Sequence, residues 1–270
     1  MSMKFFLLSA IFCVSLQTKA QELFSFTEPA SNMAAGSMGL RLNNYFMKDT
    51  HTDKYNYHLL PEVMLGVSKN IMIHAEAFLS NRNNQLAAEG GSLYLKYRFL
   101  SSDDVHNHFR MAAFGRYSLN NSNIHQPAID FNGQSSGYEL GAVATQLINK
   151  VAISATASFL HAADNGDEKF LYGEKNRSAL GYTLSIGKLM LPKEYTSYKQ
   201  TNVNLMAELL GQTTLGNGHS YLDLAPSIQF IIYSRIRADL GYRFPLISAL
   251  QRTAPKGVVI KLEYNIFNVF

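Results

Sequence analysis

The 270-residue sequence contains one cysteine, no tryptophan and seven prolines, and only 16% of it is charged. Each scarcity excludes something. A lone cysteine, Cys13, rules out a disulfide-stapled scaffold, and because it sits in the first twenty residues it also removes thiolate metal sites and a cysteine nucleophile from the rest. No apolar run reaches the roughly 18–20 residues that a membrane-crossing helix needs. Lys and Arg number 24 against 20 Asp and Glu, a balance that offers no electrostatic ground for a nucleic-acid partner. What is abundant is apolar surface, 47% of residues, which sets the chain apart from disordered sequences.

Residues 1–20 read as a secretory signal peptide. Lys4 gives a positive start, Phe5 to Leu16 an apolar stretch, and Thr18-Lys19-Ala20 a small-x-small cleavage site before Gln21. The bulky Phe12 before Cys13 argues against a lipoprotein signal. The expected divisions are a signal peptide over 1–20, a periplasmic N-terminal segment over 21–34 and a membrane barrel over 35–270.

Beyond the leader, the 3.6-residue helical period is nearly absent. Segments of about ten residues alternate apolar and polar, separated by turn chemistry. In the last one, Val258, Ile260, Leu262, Tyr264 and Ile266 share one face while Lys261, Glu263 and Asn265 share the other. A strand directs successive side chains to opposite sides of its sheet. Twelve segments follow this grammar, and the same pattern leaves ten or fourteen strands open. Their connections mostly alternate long and short, as in a barrel with one end in the periplasm and the other outside.

Alternation alone also fits soluble sandwiches and barrels. The discriminating feature is which face is dry. Most segments carry several large apolar residues on one face and small, polar and charged residues on the other. Twelve strands closed around the aliphatic set would enclose far more volume than one layer of side chains fills. Lipid outside and a hydrated, charged interior fit instead. The expected fold is therefore an all-β, antiparallel, up-and-down transmembrane barrel of about twelve strands. Aromatic residues near segment ends, among them Tyr45, Phe46, Tyr97, Phe99, Tyr117, Tyr138, Tyr242 and Phe244, suit the two membrane interfaces.

The inward face then carries the basic residues Arg41, Lys96, Arg98, Arg110, Arg116, Arg235, Arg237, Arg243 and Lys261. It also carries the acids Glu62, Glu76, Glu139, Glu208, Asp223, Asp239 and Glu263. Such a set builds either an ion-pair lattice that shuts the lumen or a pore with separate positive and negative walls. His58, Met64, Met72 and His74 form a second inward group, whose imidazoles and thioethers would suit Cu(I).

With its leader, its Leu240-Gly-Tyr-Arg-Phe244 strand and its closing Lys261-Leu-Glu-Tyr-Asn-Ile-Phe-Asn-Val-Phe270, the chain resembles bacterial outer-membrane β-barrel proteins. The start after Gln21, running from Phe26 to Arg41, is similar to uncharacterised barrels of the Bacteroidota. The resemblance implies residence in the outer membrane of a Gram-negative cell, contact with outer-membrane lipid, and Phe270 as the signal read by the barrel-assembly machinery.

Enzyme signals are poor. His219-Ser220 reads as a turn after Gly216-Asn217-Gly218, and Asp103, Asp104, His106 and His108 read as a solvated turn. No HExxH or phosphate-loop grammar occurs. The sequence therefore leads to a non-enzymatic barrel without cofactor, passing small polar or ionic solutes. Two alternatives stand beside it: a closed barrel that interacts through its long loops, 120–136 and 162–178, and a copper-handling barrel.

Overall fold

The structure is a computed structural model, described for residues 24–270 except 53, 83, 84, 106, 171, 195, 196 and 198. The leader and His106 lie outside the described residues. The strands are β1 (Ser37–Lys48), β2 (Tyr55–Gly66), β3 (Ile71–Ser80), β4 (Ala87–Asp103), β5 (Asn107–Asn120) and β6 (Ser136–Ile148). They continue as β7 (Val151–Ala163), β8 (Ser178–Leu191), β9 (Asn202–Thr214), β10 (Ser220–Ile232), β11 (Ile236–Ser248) and β12 (Lys256–Ile266). Each pairs antiparallel with its neighbour in sequence, and β12 returns to β1, with Leu40 opposite Tyr264. Closure satisfies every ladder and leaves no edge, the condition for a sheet in lipid. Among the described residues, the only helix is one 3-10 turn, Glu174–Asn176.

The turns explain the hand of the connections. At the end that holds both termini, β6 meets β7 through Asn149 at φ 53°, and β10 meets β11 through Tyr233 and Ser234 at φ 52° and 56°. Left-handed turn residues match the twist of a tight hairpin. The opposite end carries the longer loops. There Asp49 accepts backbone N–H bonds from His51 and Thr52 at 2.8 and 2.9 Å. Slight burial works against its charge, yet these bonds from Thr52 and His51 hold the carboxyl below its ordinary range.

The two faces of the wall are inverted relative to a soluble protein. Leu95 is 51% exposed and its neighbour Lys96 0%; Leu184 is 51% exposed and Ser185 0%. Glu208, Asp223 and Gln229 are likewise fully buried while Leu240 and Tyr264 face out. A polar side chain placed outward would have no water to bond in hydrocarbon. Aromatic pairs lie on the outer face, such as Tyr138–Phe159 at 6.3 Å and Tyr242–Phe244 at 5.9 Å between ring centroids.

Two residues depart from the sequence reading. Tyr45 is not part of an aromatic girdle; it turns inward beneath Lys261, whose Nζ lies 6.0 Å from its ring. Arg235 is not in the lumen, because it falls in the tight β10–β11 turn and is exposed. A third difference is larger. Residues 24–34, expected as a periplasmic segment, run inside the barrel as a strap, where Phe24 packs with Ala152 and Met206, and Ala30 with Ala112 and Val143.

Candidate functional site: a lumen filled from both ends

The site is the interior of the barrel, and its two halves are filled by different segments of the chain. In the half nearer the termini the strap meets the charged wall. Glu208 on β9 accepts the backbone N–H groups of Ser25 and Phe26 at 2.8 and 2.9 Å, and the Thr27 hydroxyl at 2.8 Å. Lys96 on β4 donates to the carbonyls of Pro29 and Ser31, both at 2.7 Å. Thr145 on β6 accepts the Ala30 N–H at 2.9 Å, and Arg110 on β5 donates to the Ser31 hydroxyl at 2.9 Å. Arg237 donates to the Phe24 carbonyl and to Asp239, which also accepts the Ser25 hydroxyl at 3.0 Å.

Arg41 is the hub. Its Nη1 donates to Glu28 of the strap at 2.7 Å and to Glu62 at 3.2 Å, and its Nε to Glu263 at 2.9 Å. Three carboxylates around one guanidinium satisfy its fork and divide its charge, which is how such groups survive burial. Asn43 lies 3.4 Å from carboxylate oxygens of both Glu62 and Glu76 and separates them. The remaining Glu76 oxygen accepts from Ser92 at 3.3 Å. Around Arg41, acids and bases are thus interleaved as a lattice.

The strap is held by side chains. Among the described residues, no backbone–backbone bond joins 24–33 to the wall; the first are Ser37 N–H to the Ala34 carbonyl at 3.2 Å and Gly36 N–H to the Gly66 carbonyl at 2.7 Å. At that point the strap passes so close that a Cβ on Gly66 would lie 2.1 Å from the Ala34 carbonyl oxygen. Gly66→Ala should accordingly weaken the protein by about 1–3 kcal/mol through forced displacement of the strap. Unfolding in lipid vesicles measures it, and a cost near zero would mean that the strap shifts without resistance.

In the other half the loop over 121–135 folds inward. Ile124, Ile129 and Phe131 pack with Leu160, Ala162, Phe170 and Ala179. The Gln212 amide clamps Ile129 by accepting its N–H at 2.9 Å and donating to its carbonyl at 2.8 Å. Asn165 donates to the Ser122 and Gln134 carbonyls at 2.9 Å each, and Arg116 reaches Asn132 at 2.5 Å. Near the rim Asp223, fully buried, takes Arg243 at 2.6 Å and Arg252 at 2.7 Å. The Arg252 guanidinium also stacks 3.8 Å over Tyr221.

Most sequence-expected lumen residues are therefore inward, but they divide among tasks. Arg41, Glu62, Glu263, Arg237 and Asp239 form one network, Lys96, Arg110 and Glu208 grip the strap, and Asp223 with Arg243 closes the rim. Glu139 lies opposite Arg116 in register. Lys261 lies opposite Asp239, and Arg98 donates to the Lys69 carbonyl of the adjoining turn at 2.7 Å. Sequence reasoning did not find Glu28, Gln212, Asn165 or Arg252, all outside its alternating charged set. Of the imidazole and thioether group, His74, Met64 and Met72 adjoin one another. His58 is six positions from Met64 along β2 and opposite Ser80, about 20 Å away at strand rise. His219 sits in a turn, its N–H donating to Asn217 at 3.0 Å. Asp103 is taken up by Arg110 at 2.7 Å and His108 at 2.8 Å.

A closed twelve-strand barrel with an apolar outer band and an ionic interior is, by class, a transmembrane β-barrel of the outer-membrane type. Two solved structures share it. The COG4313 outer membrane channel from Pseudomonas putida F1 superposes with TM-score 0.54 at 9% identity, covering 88% of this chain and 98% of the other. The NanC porin does so with TM-score 0.50 at 9% identity, covering 84% and 98%. No family model and no curated protein matches the sequence.

Proposed function

We propose that the protein is an outer-membrane channel for small polar or ionic solutes, seen here in a shut state. One observation carries this reading: the strap that fills the terminal half is bound to the ionic wall by side chains, not by the sheet. Such a segment can leave without breaking any strand pairing, and the charges it exposes are then hydrated, not stranded. Outer-membrane lipid is the surrounding solvent, the assembly machinery the partner at Phe270, and no cofactor or nucleic acid enters.

Planar-bilayer recording tests it. The chain lacking 24–34 and with the inward loop over 121–135 replaced by a short turn should give resolved conductance steps where the intact chain is mostly silent, and Glu28→Lys, which sets two cations against each other at Arg41, should do so in part in the loop-shortened chain. In the open variant, Arg98→Glu with Arg110→Glu changes the mouth by four charges and should shift the reversal potential toward cation selectivity. The filled lumen also favours a closed barrel working through its outer loops; a protein freed of both strap and inward loop that is folded but silent would establish that reading in place of the channel.

A further inference from the structure

Beneath the strap lies a group of donors at the edge of the ion-pair lattice, joined to it where His74 meets Glu62. His74, on the inward face of β3, is 2% exposed. Its Nδ1 is 2.5 Å from a Glu62 oxygen. A carboxylate accepts, so Nδ1 carries the proton, and in the neutral ring Nε2 holds a lone pair. That Nε2 is fully buried and has no hydrogen-bond partner. A bare buried nitrogen is costly, and an imidazole oriented from behind by a carboxylate is the usual arrangement of a metal-binding histidine.

Three thioethers belong to neighbouring positions. Met64 on β2 is directly opposite His74, and Met72 is the preceding inward residue on β3; both are essentially fully buried. Met33 of the strap joins them, its N–H lying 3.4 Å from the Met72 sulfur. Gly39, opposite Met64, supplies the room. A Cβ there would fall 2.6 Å from the Met64 methyl and 3.0 Å from the Met33 methyl, so both thioether ends share the space that the missing side chain leaves. Methionine is a common gap-filler, but filling space with thioethers gives the buried Nε2 no hydrogen-bond partner.

We infer that His74, Met64, Met72 and Met33 form a binding site for a soft monovalent cation, Cu(I) or Ag(I). Among the described residues no three of His, Cys, Asp and Glu converge as a metal site, so the donor set does not suit Zn(II) or a hard divalent ion. One imidazole with thioethers suits a soft monovalent one. The site spans wall and strap, and it stands whether or not the barrel conducts.

Titration of the detergent-purified full chain with Ag(I) in chloride-free buffer decides the matter. One equivalent should bind, unaffected by a hundredfold excess of Zn(II). His74→Gln and Met72→Leu should each weaken binding by about tenfold or more, the scale for disturbing a metal's ligand shell. Met33→Leu, off the barrel wall, should weaken it on the same scale, while Met206→Leu, packed with Phe24 on the other side, should not. A heat-dependent gel shift verifies that each variant is folded. No uptake by the intact chain, equal uptake by His74→Gln and Met33→Leu, or displacement by Zn(II) would each overturn the site.

Discussion

Arg41→Met should destabilise the barrel by about 3–5 kcal/mol, the scale for removing one partner of a buried ion pair. The substitution keeps length and apolar stem, so packing changes little. What it removes is the one guanidinium shared by Glu28, Glu62 and Glu263. All three carboxylates would remain in a region where the strap excludes water; Glu62 keeps His74 and Glu263 keeps Arg237 at 3.6 Å, but each loses the shared guanidinium that balances its charge. Urea unfolding in lipid vesicles reads the loss. Adding Glu28→Gln and Glu62→Gln to Arg41→Met should recover part of it, because the stranded charges are then gone. A cost below about 1 kcal/mol, the range of solvent-exposed pairs, would show that the lattice is already wet and the strap a loose occupant.

Leu184→Arg is the second large effect. Leu184 lies at the middle of β8, faces out, and pairs across the ladder with Ala155 and Leu209. An arginine at the midplane of a barrel's lipid face costs about 2–4 kcal/mol, falling toward zero near the interfaces. Tyr182 and Ile186, on the same face but farther from the middle, should pay less for the same change. Equal, negligible costs at all three positions would mean that this face meets water.

The wall was legible in the sequence because one physical rule governs it. A strand in lipid has to be apolar at every second residue, and Leu93, Leu95 and Tyr97 against Ser92, Tyr94 and Lys96 show that rule without help from the rest of the chain. Exceptions came where the rule has no hold. Tyr45 belongs to the inward parity of β1, but its aromatic character suggested an interface. Arg235 continues the parity of β11 by one step, into a turn where parity has no meaning.

The fillings were not legible. Residues 24–34 carry no period, and their partners are far off in the chain: Ser25 bonds Glu208 and Asp239, 183 and 214 residues away. Nothing local in Glu28 announces Arg41, and nothing in Gln212 announces Ile129. The His/Met group was half legible for the same reason. His74, Met64 and Met72 sit on adjoining strands and follow from hairpin arithmetic. His58 shares their parity but not their level, and Met33 reaches them only through the fold of the strap.

Everything rests on which way the alternating residues point. A cysteine scan along β8 from 181 to 186, in a background with Cys13 replaced by serine and the protein reconstituted in vesicles, measures that directly. Fluorophores at 182, 184 and 186 should be quenched by brominated acyl chains, and those at 181, 183 and 185 should not. Quenching of the opposite parity, or of neither, would contradict the inside-out barrel and with it the lumen, the strap and the channel.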